Sequence, residues 1–365
     1  MAVAIDERKH RSVRILVATD SIGPLSSRQA GEVIASGWLP VSEVSVLPVG
    51  DAGTGFVSAY ADLIGVTTSS WVSDGATVTT AQGPDTSVVQ VLGPNHGPGI
   101  PYELSSRPIG QAIGTLLAGR RTAFRMLVDL AGLWVHDAGA GLLAALGTTA
   151  DRPLDRGVAS LDGLSEVDLA PARELVGDTE MVGVVPATQL SQPLLGLRGI
   201  TSLAGRQAKV EPEQMLRTDA ALEAFAQLAS PGHMATPGAG ACGGLGFALL
   251  ALGGQLGTGP ALALASPTGQ HGLRGADLVV TGCSVFDFAS RGGGVVAAMA
   301  EAAAAALIPC IVIAGEVLIG SREMRTMGIE AAYPVRETLG DDPHGQIGDG
   351  ELAMIARRVA RSWSW

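Results

Sequence analysis

Between Thr236 and Gly315 the chain carries more glycine than an ordinary helix tolerates, and this stretch constrains the fold more than any other. It reads TPGAGACGGLGFALLALGG, then ADLVVTGCSVFD, then RGGGVVAAMAEAAAAALIPCIVIAG. Gly238, Gly240, Gly243, Gly244 and Gly246 each cost roughly 1 kcal/mol against Ala in a helix interior, so the bare backbone must serve a purpose. Two purposes compete: close approach to a ligand or anion at a helix start, and tight packing of that start against another element. The formal match Gly238-x-Gly240-x-x-Gly243 lacks the preceding strand and the following acidic residue of a dinucleotide site, which argues against a nicotinamide enzyme. A GxxxxGK[ST] phosphate loop is absent from the sequence.

The chain has 365 residues, enough for a large core and for two domains of ordinary size. A net charge of -11 argues against nucleic acid and anionic membranes as partners, and points to small molecules. The three cysteines, Cys242, Cys283 and Cys310, show no metal-ligand spacing, and a cytoplasmic location is expected. No secretory signal or membrane span is expected either, because Gly, Glu301 or Pro309 interrupts the apolar runs. Lysine occurs only as Lys9 and Lys209, so phosphate handling would lean on arginine, backbone amides, a metal or Lys209.

In chain order, RILVATD reads as a strand buried on both faces, and Ser26 with Gln29 as a capping-box helix start. A second strand, VSVLPVGD, and a second helix, AGTGFVSAYADLIG, continue a β-α-β-α pattern. From about Thr67 the alternation of Thr, Val and Gly suggests a partly antiparallel domain. The parallel pattern resumes with ADLVVTG, CIVIAG and AAYPV, and a last amphipathic helix carries Leu352, Ile355, Ala356 and Val359 on one face. The expected architecture is a flavodoxin-like, doubly wound parallel sheet built from residues 1–70 plus 272–365, with a mixed-sheet α/β domain inserted at 71–271.

Ligands of open parallel sheets bind beyond the carboxyl ends of the strands. Those ends carry Asp20 and Ser21, then Asp51 with Gly53 and Gly55, then Thr281 and Gly282 with Asp287 beyond; the insert adds His136 and Asp137 before Gly139 and Gly141. Convergent carboxylates suit magnesium, with Asp287 and Asp51 as its expected ligands. The competing reading makes each aspartate a helix cap or turn residue, and His136 a satisfied structural side chain. Cys283 has no evident histidine partner to make it a nucleophile.

These residues resemble the bacterial type I glycerate kinases over nearly the full length. ILVATDSIGPLSS resembles that family's APDSFKGSLSA, VLPVGDAGTGF its DGGEGT, AGLWVHDAGAGLLAALG its GGSATNDGGAGML, and TQLSQPLLG its DVTNPLLG. The glycine-dense run with ADLVVTG is the nearest match. The resemblance implies an ATP- and magnesium-dependent kinase of D-glycerate, or of a similar small hydroxy acid, acting in a cleft between the two domains. On that reading Asp20, Asp51, Asp137 and His136 serve catalysis, while Ser21, Gly53, Gly55, Lys209, Thr281, Gly282 and Arg291 hold substrate or phosphate. A homodimer is compatible with the Ala-rich helix after Val295.

The departures fall on polar positions. The family's Lys after DSF is Gly23, the acidic residue of DGGEG is Thr54, and its Ser, Thr and Asn are Leu133, Val135 and His136. The Asp and Asn of DVTNPLLG are Gln189 and Gln192; the lysine of PQKG falls on Ala208, with Lys209 one position late. GEGRxD becomes Gly282-Cys283-Ser284-Val285-Phe286-Asp287, leaving Arg291 to stand in for the lost arginine, and TSYGxGE becomes SSRPIGQ. Losing one charge aimed at a transferring phosphoryl group costs roughly 10²-fold in rate. Two readings therefore stand side by side: an active kinase with rebuilt contacts, and a catalytically degenerate relative that binds a ligand or a protein partner.

Overall fold

The computed structural model describes residues 13–39, 42–53, 55–94, 99–119, 124–336 and 347–363. Thr54 and Lys9 therefore lie outside the described residues. In chain order the strands are β1 Arg14–Val17, β2 Glu43–Val46, β3 Thr68–Ser73, β4 Ala76–Gln82, β5 Thr86–Leu92, β6 Arg125–Asp129, β7 Thr149–Ala150 and β8 Val167–Asp168. They continue with β9 Glu180–Val184, β10 Gln255–Gly257, β11 Leu278–Thr281, β12 Val285–Phe286, β13 Cys310–Ala314, β14 Glu316–Val317 and β15 Ile329–Pro334.

The chain divides into two compact units, one of residues 1–49, 263–291 and 295–365, the other of 50–262 with 292–294. In the first, five parallel strands run in the order β15-β13-β11-β1-β2. This is the flavodoxin-like order, and its sense reverses between β1 and β11. Apolar runs long enough to cover both faces explain why these strands sit inside the unit. Ile15, Val17, Leu278, Val280, Ile311 and Ile313 all pack on one face, where Ile34 of helix Ser27–Ala35 and Leu352 and Ile355 of helix Asp349–Ser362 meet them. The first of those helices starts at the expected box: the Gln29 amide donates to Ser26 Oγ and the Ser26 amide to Gln29 Oε1.

The second unit is a mixed sheet in the order β10-β9-β6-β5-β4-β3. Strands β3, β4 and β5 pair antiparallel, whereas β5, β6, β9 and β10 pair parallel. The division falls at 49/50 and 262/263, against the 70/71 and 271/272 expected from sequence. The cause is helix Phe56–Ile64, whose Phe56, Val57, Tyr60 and Ala61 pack on Ala81, Val88, Leu127, Val182 and Val184 of the second unit's sheet. An alternating βαβα pattern does not say which sheet a helix covers, and here the second helix covers the inserted one.

The glycine-dense run is resolved as close packing. The segment Ala241–Ala251 opens with a left-handed turn at Cys242, Gly243 and Gly244, with φ values of 51, 71 and 90°. At Gly243 an added Cβ would overlap the Val135 carbonyl oxygen, so both the conformation and the contact demand glycine. The turn is locked from outside: the Cys242 amide donates to Gln189 Oε1 at 2.7 Å, and the Ala138 amide to the Gly243 carbonyl at 3.3 Å.

Candidate functional site

In the first unit the loops after β1 and β11 meet where the strand order reverses, the place where open α/β sheets hold ligands. The Asp20 amide donates to the Gly282 carbonyl at 2.9 Å, which brings Asp20 and Ser21 beside Thr281 and Gly282. Ser284 ties the two loops: its Oγ donates to the Ser21 carbonyl and accepts from the Gly23 amide. Thr281 is fully buried, and its hydroxyl has no hydrogen-bond partner among the described residues. Asp287 Oδ1 accepts from the amide and the hydroxyl of Ser290, closing its own turn. Arg291 is exposed, with its guanidinium 5.2 Å from the centroid of the Phe288 ring. Burial first, and then the charges of Asp20 and Asp287, push the Cys283 thiol up to about 12, which removes it as a nucleophile at neutral pH.

The second unit carries a denser cluster, centred on a residue that sequence reading passed over. Asp129 closes β6 with its side chain 1% exposed. The Gly53 amide donates to both of its oxygens, at 3.0 and 2.9 Å, and the Ala131 amide to Oδ1 at 3.0 Å. Gln90 Nε2, from β5, donates to Asp129 Oδ2 at 2.6 Å and to the Gly53 carbonyl. Burial raises the Asp129 carboxyl to about 7 against the pull of these donors, and the neighbouring charge of Asp51 adds to the rise. Asp51 is itself raised by burial, and its Oδ1 accepts from the Ala52 amide at 2.9 Å. Gly53 and Gly55, with φ values of 101 and 108°, complete the turn that leads into helix Phe56–Ile64. An acid ending an apolar strand run was the available signal for Asp129, the same one that picked out Asp20.

Two expected catalytic residues are corrected by their surroundings. Asp137 is fully buried, and its carboxylate accepts from the amide and hydroxyl of Ser106 and from the amides of Gly139 and Gly141. Four donors satisfy it, so it ties the starts of helices Arg107–Ala118 and Ala140–Ala145 rather than facing a ligand. His136 is 3% exposed, lies 3.0 Å from Thr201 Oγ1 through Nε2, and is lowered by burial to about 4, hence neutral. Both follow the cap-and-core reading of the sequence. Lys209 is exposed with φ 56°, just past helix Ile200–Gln207.

A cavity of about 350 Å³ lies within the second unit. It brings Ser105 and Arg107 of the SSRPIGQ segment to Leu133, Trp134 and Val135 of the GLWVHD segment. The apolar residues at the departures from the family pattern thus wall a space rather than fill it.

Among the described residues no group of three or more His, Cys, Asp or Glu side chains is arranged to hold a metal ion. Asp51 and Asp287 each have one oxygen bound to their own turn and belong to different units. Among the described residues no helix is long and apolar enough to cross a membrane.

Residues 15–364 match the model of the family described as the glycerate kinase family. An uncharacterized protein of Mycobacterium bovis is 32% identical, covering 96% of this chain and 93% of its own length. The glycerate kinase of Bacillus subtilis is 28% identical over 88% and 90% of the two chains, and the glycerate 2-kinase of Escherichia coli 26% over 90% and 92%. The crystal structure of a putative glycerate kinase 2 from Salmonella typhimurium superposes with a TM-score of 0.77, covering 96% of this chain and 98% of that one at 23% identity, and so supports the fold. With a family match over nearly every residue and relatives aligned along almost the whole chain, the protein belongs to the glycerate kinase family.

Proposed function

We propose that the protein transfers a phosphoryl group from ATP to a hydroxyl of glycerate or a similar small hydroxy acid. The observation that carries this reading is Asp51, a half-buried carboxylate on a glycine turn, with one oxygen bound to its own backbone and its affinity for protons raised by burial. Such a group suits general-base work on a substrate hydroxyl. The substrate oxygen attacks the γ-phosphorus as its proton passes to Asp51 Oδ2. The bond from the γ-phosphorus to the bridging oxygen breaks, and ADP leaves with that electron pair. Magnesium enters as part of the nucleotide substrate. Within the first unit exposed Arg291 and the Ser21 segment are proposed as phosphate contacts, and within the second exposed Lys209 and the Gly53 segment.

A second reading is favoured by one observation. Leu133, Trp134 and Val135 line the second unit's cavity where the resembling motif has hydroxyls and small residues, which suits a protein that binds a ligand without turning it over.

Calorimetric titration with magnesium-ATP, followed by turnover assays over a panel of hydroxy acids, separates the two. Saturable binding with turnover, and a kcat that falls about 100-fold or more in Asp51→Asn while nucleotide binding persists, supports the kinase. Binding without turnover on any acid of the panel supports the second reading. No binding at millimolar nucleotide sinks the kinase reading and leaves the second, with a ligand other than nucleotide or a protein partner.

A further inference from the structure

The polar cluster of the second unit has a construction that the proposed chemistry does not by itself require. One carboxylate joins three chain segments: the end of β6 through Asp129 itself, β5 through Gln90, and the turn after residue 50 through the Gly53 amide. Gln90 closes a ring, because the same Nε2 donates to Asp129 and to the Gly53 carbonyl. The peptide groups on both sides of the Gly53 Cα are therefore engaged, the N–H by Asp129 and the C=O by Gln90. A left-handed glycine has no conformational preference strong enough to hold one geometry, so these bonds supply it. Asp51 stands two positions before Gly53, and apart from the bond to Ala52 its carboxylate direction follows the turn.

We propose that Asp129 is a positioning residue for Asp51: with Gln90 it clamps the N–H and C=O of Gly53 and so fixes the turn from which the Asp51 carboxylate projects. The proposal rests on the assignment of Asp51 as the group that receives the substrate proton. Replacing Asp129 by Asn turns one of its two acceptor atoms into a donor. Whichever way the amide is oriented, a donor then faces Gln90 Nε2 or the Gly53 and Ala131 amides, and the clamp opens. The same clamp has a weaker handle in Gln90, whose loss frees only the Gly53 carbonyl side.

The experiment pairs a kinetic readout with one independent of turnover. Amide exchange at Gly53 is followed by NMR in the full-length wild type, Asp129→Asn and Gln90→Leu, and kcat and KM are measured on the same samples with magnesium-ATP and glycerate. The clamp predicts at least tenfold faster Gly53 exchange in Asp129→Asn and about threefold in Gln90→Leu. It also predicts that kcat falls at least tenfold in Asp129→Asn while KM for nucleotide stays within twofold, a split that general loosening of the fold would not produce. Should Asp129→Asn not fold, Gln90→Leu decides: unchanged Gly53 exchange overturns the clamp. An inactive wild type whose Gly53 exchange still accelerates in the variants defeats the kinase reading and keeps the clamp. An active wild type whose kcat and Gly53 exchange are unmoved in Asp129→Asn overturns the proposal and leaves the kinase standing.

Discussion

Asp129 and Asp137 are both buried carboxylates of the second unit, both follow or end β6, and both gather several donors, yet their surroundings differ in kind. Asp137 is met only by uncharged capping groups at two helix starts: Ser106, Gly139 and Gly141. Asp129 is met by a glycine turn that carries a second acid, Asp51, and that acid's charge reaches it. Burial raises the proton affinity of both. A buried acid surrounded by caps holds architecture in place, whereas one beside another carboxylate on a glycine turn lies where charge can be put to chemical use.

The largest expected effect tests the architectural half of that contrast. Asp137→Ala leaves three buried amides and the Ser106 hydroxyl without their acceptor, and should destabilise the protein by roughly 4 kcal/mol in urea melts. Activity should then follow the folded fraction. If instead the midpoint stays put while kcat collapses, Asp137 is a site residue and the contrast with Asp129 is lost.

The sequence made the framework of both regions legible and left their polar detail hidden. Apolar runs such as RILV and CIVIA, the Ser26 and Gln29 box and the Leu352-to-Val359 face all appear as β1, β13 and the two outer helices of the first unit. Periodicity and capping are local properties, so the sequence displays them directly. The partners of Asp129 come from Gln90 and Gly53, which no spacing rule connects to it. His136-Asp137 drew attention because a His-Asp pair before a glycine turn resembles a site. What decides its role is Ser106 and Thr201, both distant in sequence. The glycine run could be read two ways for the same reason: the Val135 carbonyl that requires Gly243 belongs to another segment.

Stability against pH should separate the two neighbourhoods by sign. Asp129 is raised from 3.8 to about 7, so the folded state holds its proton more tightly than the unfolded chain between those values. Its contribution is present below pH 3.8 and is lost as pH rises through 7, by roughly 3 kcal/mol between pH 5 and 8. His136, beside Asp137, runs the other way. It is lowered from 6.5 to about 4, so the unfolded chain takes up protons first, and stability present above pH 6.5 is lost as pH falls toward 4. At pH 5 that loss is roughly 2 kcal/mol. Melts from pH 5 to 8 should show the falling slope flattened in Asp129→Asn. In His136→Gln, stability relative to wild type should improve on the acid side. Variants whose slopes match the wild type would mean that neither group titrates differently on folding, and the electrostatic part of the contrast would go.

The smallest effect carries the comparison to the first unit, where the Thr281 hydroxyl is buried at the end of β11 without a partner among the described residues. A buried hydroxyl that makes no hydrogen bond is a desolvated polar group with nothing to offset it. Thr281→Val keeps the branched shape that suits a strand and removes that oxygen, so the protein without nucleotide should gain about 1 kcal/mol in urea melts. If Thr281 also contacts phosphate, as its place beside Asp20 and Gly282 suggests, the same change should weaken magnesium-ATP binding several-fold in calorimetry. Greater stability with weaker binding marks a residue kept for a ligand against the interest of the fold, the reverse of Asp137. Greater stability with unchanged binding makes Thr281 a packing defect.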